Sequence, residues 1–353
     1  MRNPLSQATR QAAPSDGTPS AGFRRLVYLA IGLTFAIVIV GGVVRISDSG
    51  LGCGPGGSGT HGWPLCGGRV IPLVDANMIV EYSHRILAGS LAVTIALLAF
   101  RAWRHYRDRR DLVRVSFAAL GLVLFQAALG GLTVEKGLED ELVAAHLGVA
   151  MLQLGLLMLL ARIAVPARDR RRGAIAVGSG TQLLAIGASV AVLATIVAGG
   201  YMSANELHGT GEPDRGTHTA CGNDFPSCGG EFLPFGRSRA LDIHLTHRAL
   251  MYLSCVLVLS LLVAVIRRRR SVGAAGDGGL TAAVSLTTAV LVVQVMLGAL
   301  NVWLGEHAWL VVAHLTVATL LWASLVYASM LALPAFRGVP SRAREPEAEA
   351  APA

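Results

Sequence analysis

The chain is 353 residues long, 53% hydrophobic and only 15% charged, with a net charge of +8. That balance excludes an ordinary soluble domain and describes a polytopic membrane protein. The positive charge does not mark a nucleic-acid partner, because the basic residues fall in alternate loops between apolar runs, where they report membrane orientation.

In chain order, the first 22 residues are polar, and the apolar run after them is too long for a cleavable signal. They predict a disordered cytoplasmic tail. Apolar runs of about 20 residues, enough to cross a hydrocarbon core of roughly 30 Å, then recur eight times. They lie near 24–44, 78–100, 113–134, 141–164, 181–201, 241–266, 281–303 and 309–333. Arginines gather at 24–25, 101–114, 168–172, 267–270 and 337–344. Those loops are cytoplasmic by the positive-inside rule, which puts both termini inside and 45–77, 135–140, 202–240 and 304–308 outside. The last stretch, "SRAREPEAEAAPA", reads as a second tail. Lysine occurs only at Lys136, the bias of a GC-rich bacterial genome, so the expected location is a bacterial plasma membrane.

The chain repeats itself. "LVLFQAALGGLTV" (122–134) matches "VLVVQVMLGALNV" (290–302), and "LVAAHLGVAML" (142–152) matches "LVVAHLTVATL" (310–320). "EYSHR" (81–85) faces "HLTHR" (244–248), and "PLCGG" (64–68) faces "PSCGG" (226–230). Four matches in one order imply an all-α fold of eight transmembrane helices in two tandem four-helix bundles of the same orientation. The expected division is a tail over 1–22, an N-terminal half over 23–165, a basic linker over 166–180, a C-terminal half over 181–334 and a tail over 335–353.

Each half puts one histidine early in its second helix and one early in its fourth: His84 and His146, then His247 and His314. All lie about five to seven residues in, or roughly 8–10 Å deep at 1.5 Å per residue, so they form one layer near the outer face. Two imidazoles across a four-helix bundle can clamp a haem iron. A lone membrane histidine more often bonds a neighbouring helix, but four at matched depth favour ligation. Zinc or copper would gather three or four ligands close together, so two haem pockets are the simpler account.

Glu81 lies three residues before His84, on the same helical face, and the second half has His244 in its place. The asymmetry suggests chemistry in one pocket and an electron-transfer cofactor in the other. The competing reading pairs Glu81 with Arg85 or Arg45 at the interface. Arg85 and Arg248 each follow a histidine and are candidates for haem propionates. Cys53 and Cys66 share one outer loop, and Cys221 and Cys228 another, in a compartment that permits disulfides. Each pair reads as a structural staple, or, for the first pair, as a redox-active dithiol working by thiol exchange. Cys255 reads as packing, and His61, His208 and His218 as surface or lid residues.

"GGVVRISDSGLGC", "WPLCGG", "EYSHR", "HLTHR" and the paired "AHL" helices together resemble the haem A synthase family of bacteria and mitochondria, over about 24–333. The resemblance implies oxidation of a ring methyl of haem O to the formyl of haem A for terminal oxidases. It implies haem b on His247 and His314, substrate at His84 and His146, an acidic residue needed for activity at Glu81, and cysteines of redox function at Cys53 and Cys66. Partners would be membrane lipid, haem O, a haem O synthase and an electron acceptor, with homo-oligomerisation left open. Two departures stand out. The first-loop cysteines are further apart than is usual in the family, and "LHGTGEPDRGTH" replaces its glycine-serine-glycine-proline-histidine run. Rival readings are a dihaem electron-transfer protein, a membrane thiol oxidoreductase and a haem transporter.

Overall fold

A computed structural model describes residues 18–71, 75–166, 177–205, 216–273, 279–305 and 307–333. Among them eight helices are long and apolar enough to cross a membrane, and no strand occurs. They are α1 (Ala21–Ile46), α2 (Ala76–His105), α3 (Arg110–Glu135), α4 (Asp140–Ala164), α5 (Ser179–Ala204), α6 (Arg239–Val272), α7 (Leu280–Trp303) and α8 (Ala308–Ala332). Leu29, Phe117, Leu183 and Leu286 are among the large apolar side chains left exposed on these helices, as lipid-facing surface requires. The chain is a multi-pass membrane protein.

Helices α2 and α6 begin earlier than hydropathy alone suggests. Asp75 accepts a hydrogen bond from the Met78 N–H at 2.9 Å, and Ser238 one from the Leu241 N–H at 3.2 Å, so side-chain caps start each helix ahead of its apolar run. His84 and His247 are therefore nine residues into their helices, counting from Ala76 and Arg239, while His146 and His314 are seven in, counting from Asp140 and Ala308. Helix α6 also continues to Val272, because arginines 267–270 favour helix; Gly273, at φ 76°, ends it.

Each half closes on itself. Helix α1 packs on α2, α2 on α3, α3 on α4 and α4 on α1, and α5 to α8 repeat the circuit. The halves meet where α4 touches α5 and where α8 touches α1 and α4. In lipid no hydrophobic drive separates helix from tail, so close approach depends on small residues. A Cβ added at Gly42 would fall 2.5 Å from Leu315, and one at Gly200 2.9 Å from Leu147. Gly42 and Gly200 are equivalent in the repeat, as are Leu315 and Leu147. The interface is thus pseudo-two-fold, each half offering a glycine to the other's leucine. Trp322 ties it further, donating its indole N–H to the Met151 carbonyl at 2.8 Å.

The loops after α1 and α5 cover the histidine end of their bundles. Each contains a disulfide, Cys53–Cys66 or Cys221–Cys228. Each also makes the tight turn that "CGG" encodes. Cys66 pairs with Arg69, and Cys228 with Glu231, through reciprocal backbone hydrogen bonds. Both central glycines have positive φ, 58° and 72° in the first loop and 61° and 78° in the second. Two-residue hairpins of this kind need left-handed backbone at both central positions, which glycine adopts without strain.

Candidate functional site

The four histidines sit over glycines. A Cβ built on Gly41 of α1 would stand 3.2 Å from His84 Cε1, and one on Gly130 of α3 would stand 2.9 Å from His146 Cε1. In the second half Gly199 of α5 faces His247 at 2.9 Å, and Gly298 of α7 faces His314 at 3.1 Å. Helices α2, α4, α6 and α8 supply the imidazoles, and α1, α3, α5 and α7 supply the floor beneath them. Any side chain at those glycines would fill the cradle. Within each half the two rings lie in electrostatic range of each other, His146 of His84 and His314 of His247.

The two pairs are fastened differently. His247 Nδ1 lies 3.0 Å from the Thr195 carbonyl. A carbonyl only accepts, so Nδ1 carries the proton and Nε2 is left with the lone pair a metal needs. The amide of Gln294 stands 3.2 and 3.0 Å from the two ring nitrogens of His314. In the first half the Ile37 carbonyl, the counterpart of Thr195, faces His84, whereas the buried Nδ1 of His146 is without a hydrogen bond. Gln126, the counterpart of Gln294, donates instead to the His146 backbone carbonyl at 2.8 Å.

These residues fit an iron porphyrin. Imidazoles come in pairs above cradles free of side chains, each pair within one bundle, and the buried Nδ1 of His146 lacks a partner. Among the described residues no group of three or more His, Cys, Asp or Glu could hold a bare metal ion.

Beside the first pair, Glu81 is 3% exposed. One carboxylate oxygen accepts the Cys53 N–H at 2.7 Å, and the other accepts from Arg85 one turn further along α2. Arg85 also donates to the carbonyls of Gly62 and Leu65 at 2.7 and 2.8 Å. Glu81, Arg85 and the disulfide loop therefore form one network, and of the two arginines considered as partners for Glu81 it is Arg85 that pairs with it. Arg45 instead donates to the carbonyls of Ser203 and Ala204 at the end of α5.

In the second half Arg248 likewise donates to the carbonyls of Ser227 and Asp224, at 2.7 and 2.8 Å. His244, also 3% exposed, takes the Glu81 position, and its Nδ1 lies 2.8 Å from the Thr217 carbonyl. Both arginines thus hold their loops, a function that neither spacing nor charge had indicated. Cys53 and Cys66 are 0% exposed, so thiol exchange with an outside partner requires the loop to open. His218 lies within electrostatic range of His244, His247 and His314, placing it against the second site. His61 is exposed in the first loop, Cys255 is a half-buried free thiol, and His208 lies outside the described residues.

The cradle glycines and the unequal fastening were not read from the sequence. The signal for the first was present. "VGGVVR" (40–45) and "AGGYMS" (198–203) repeat each other as do "LGGLTV" (129–134) and "LGALNV" (297–302).

Fold and site together define a membrane helical-bundle protein with two separate bis-imidazole sites, one in each half of a duplicated chain. A family model described as cytochrome oxidase assembly protein matches residues 24–326, and the chain belongs to that family. It is similar to the heme A synthase of Alkalihalophilus pseudofirmus, 28% identical over 87% of this chain and 97% of that one. The heme A synthase of Halalkalibacterium halodurans is 27% identical over 84% and 92%, and that of Listeria monocytogenes 26% over 85% and 92%.

Proposed function

We propose that this chain is a haem A synthase, an oxidoreductase that converts a ring methyl group of haem O to a formyl group and so supplies haem A to terminal oxidases. The observation that carries the reading is the buried carboxylate of Glu81 beside the first histidine pair, at the position where the second pair has His244. Full-length similarity to heme A synthases supports it. His247 and His314, whose rings meet the Thr195 carbonyl and the Gln294 amide, would hold a resident haem b. When bound, haem b supplies a one-electron redox centre. His84 and His146, the pair beside the Glu81 carboxylate and the one in which the His146 Nδ1 has no hydrogen bond, bind haem O, because a substrate site must load and release. Arg85 and Arg248, next to these histidines, shape the mouths of the two pockets.

The methyl group passes through two successive hydroxylations, to an alcohol and then to a geminal diol. Each takes its oxygen from water and gives up two protons, and two electrons to an outside acceptor; the diol loses water to leave the aldehyde. Glu81 takes up a proton released at this carbon or stabilises positive charge there, with a strength that a low-dielectric site enhances. The Cys53–Cys66 disulfide keeps that carboxylate in place through the Cys53 N–H. An electron acceptor outside the chain completes the cycle, a haem O synthase supplies the substrate, and both termini face the cytoplasm.

The test is to purify the protein from cells that also make haem O and to identify its extracted haems by chromatography and mass. Haem b together with haem O, its hydroxylated form or haem A is the expected result. Haem b alone, with haem O present in the same membranes, would leave a dihaem electron-transfer protein.

A further inference from the structure

Gln153 lies on α4 seven residues after His146. Seven residues are about two turns, so its side chain leaves the helix within about 20° of the histidine's direction and about 10 Å deeper in the membrane. It is 1% exposed, and both atoms of its amide are buried without a hydrogen-bond partner. No other described side chain has two such atoms. Buried polar groups in native proteins are almost always paired, and one that is not calls for a ligand or a function.

The repeat supplies the second observation. The residue seven after His314 is Leu321, itself buried in a core cluster that draws on both halves. The two sites thus share histidines and glycines but differ two turns below, amide in one and hydrocarbon in the other. On the reading above, their ligands differ in the same way. Haem O carries a hydroxyl at the root of its isoprenoid chain, where haem b has only a vinyl group. A primary amide offers one donor and one acceptor face, and a hydroxyl returns both.

We infer that Gln153 is a specificity-determining residue that recognises the side-chain hydroxyl of haem O in the N-terminal pocket. This rests on the haem A synthase reading. The pocket so built selects haem O over haem b, because a haem lacking the hydroxyl leaves a buried amide unpaired.

The test uses the full chain with its second site filled by haem b. Wild type and Gln153→Leu, which copies Leu321, are titrated with haem O and separately with haem b, and binding at the first site is followed by absorbance. Gln153→Leu is expected to weaken haem O by roughly 3- to 10-fold and to leave haem b unchanged or tighter, so that the preference collapses. Equal weakening of both haems, or no change in either, overturns the inference. Should Gln153→Leu fail to retain haem b in the second half, a sign of misfolding, the near-isosteric Gln153→Met is used with the same outcomes. A wild-type protein that never binds haem O would instead overturn the haem A synthase reading, whereas normal selection by wild type and variant alike would defeat only the role of Gln153.

Discussion

The two halves share a frame and diverge beside their histidines. In both, imidazoles lie over glycines, an arginine holds a disulfide loop, and a "CGG" hairpin turns that loop back. In the second half the rings are fastened and a histidine stands beside them. In the first half the Nδ1 of His146 has no partner and a buried carboxylate takes that histidine's place. Duplication supplied two equal holders. A carboxylate in one and an imidazole in the other makes the two holders chemically unequal.

The hardest test of that separation is Glu81→Gln. The amide keeps the volume and can still accept the Cys53 N–H, and Arg85 remains bonded to Gly62 and Leu65, so the loop should stay closed. Loss of the charge should lower haem A formation by about 10²- to 10⁴-fold, the usual span for an acid–base group, with haem b content unchanged. Haem analysis of membranes expressing the variant measures both at once. Haem A at wild-type levels would remove Glu81 from the chemistry, and the halves would then differ in decoration only.

Next in size is the contrast between Gln294 and Gln126. Gln294 reaches the ring of His314, whereas Gln126 reaches only the backbone carbonyl of His146. Groups that orient a metal-binding histidine typically contribute 10- to 100-fold in affinity. Gln294→Leu is therefore expected to weaken haem b by about that factor in a haem titration, and Gln126→Leu to change haem O binding several-fold at most. Equal effects would mean that the fastening carries no distinction between the sites.

Much of this was legible in the sequence, for reasons that also explain what was not. Helix number follows from hydropathy because lipid thickness fixes a minimum length. The histidine layer follows from the repeat, since a duplicated ligand keeps its register. The cradle glycines were harder to see, because glycine is common in membrane helices and Gly41 sits in a short match between α1 and α5. The fastening of His247 could not be read at all. Its partner is the backbone carbonyl of Thr195, and carbonyls are the same in every residue; the aligned carbonyl in the first half, that of Ile37, faces His84. The roles of Arg85 and Arg248 were hidden too, because their partners are loop carbonyls whose positions depend on how the hairpins turn.

The smallest expected effect concerns how each loop seats on its bundle. Trp63 packs on Gly131 of α3, where an added Cβ would lie 2.9 Å from the indole ring. In the second half the repeat places Phe225 and Ala299 at these positions, a smaller ring with a larger floor, and Phe225 stacks edge-on against Trp303 at 6.1 Å. If the pairs are alternative solutions to one packing problem, Gly131→Ala alone should destabilise the first half by about 1–2 kcal/mol through overpacking. Adding Trp63→Phe should recover most of that loss, because it restores the combination the second half uses. Thermal unfolding of the four proteins in the cycle gives the coupling directly. Additive losses would show that the loop over the substrate site seats by some other contact, and that it diverged from its partner in position as well as in size.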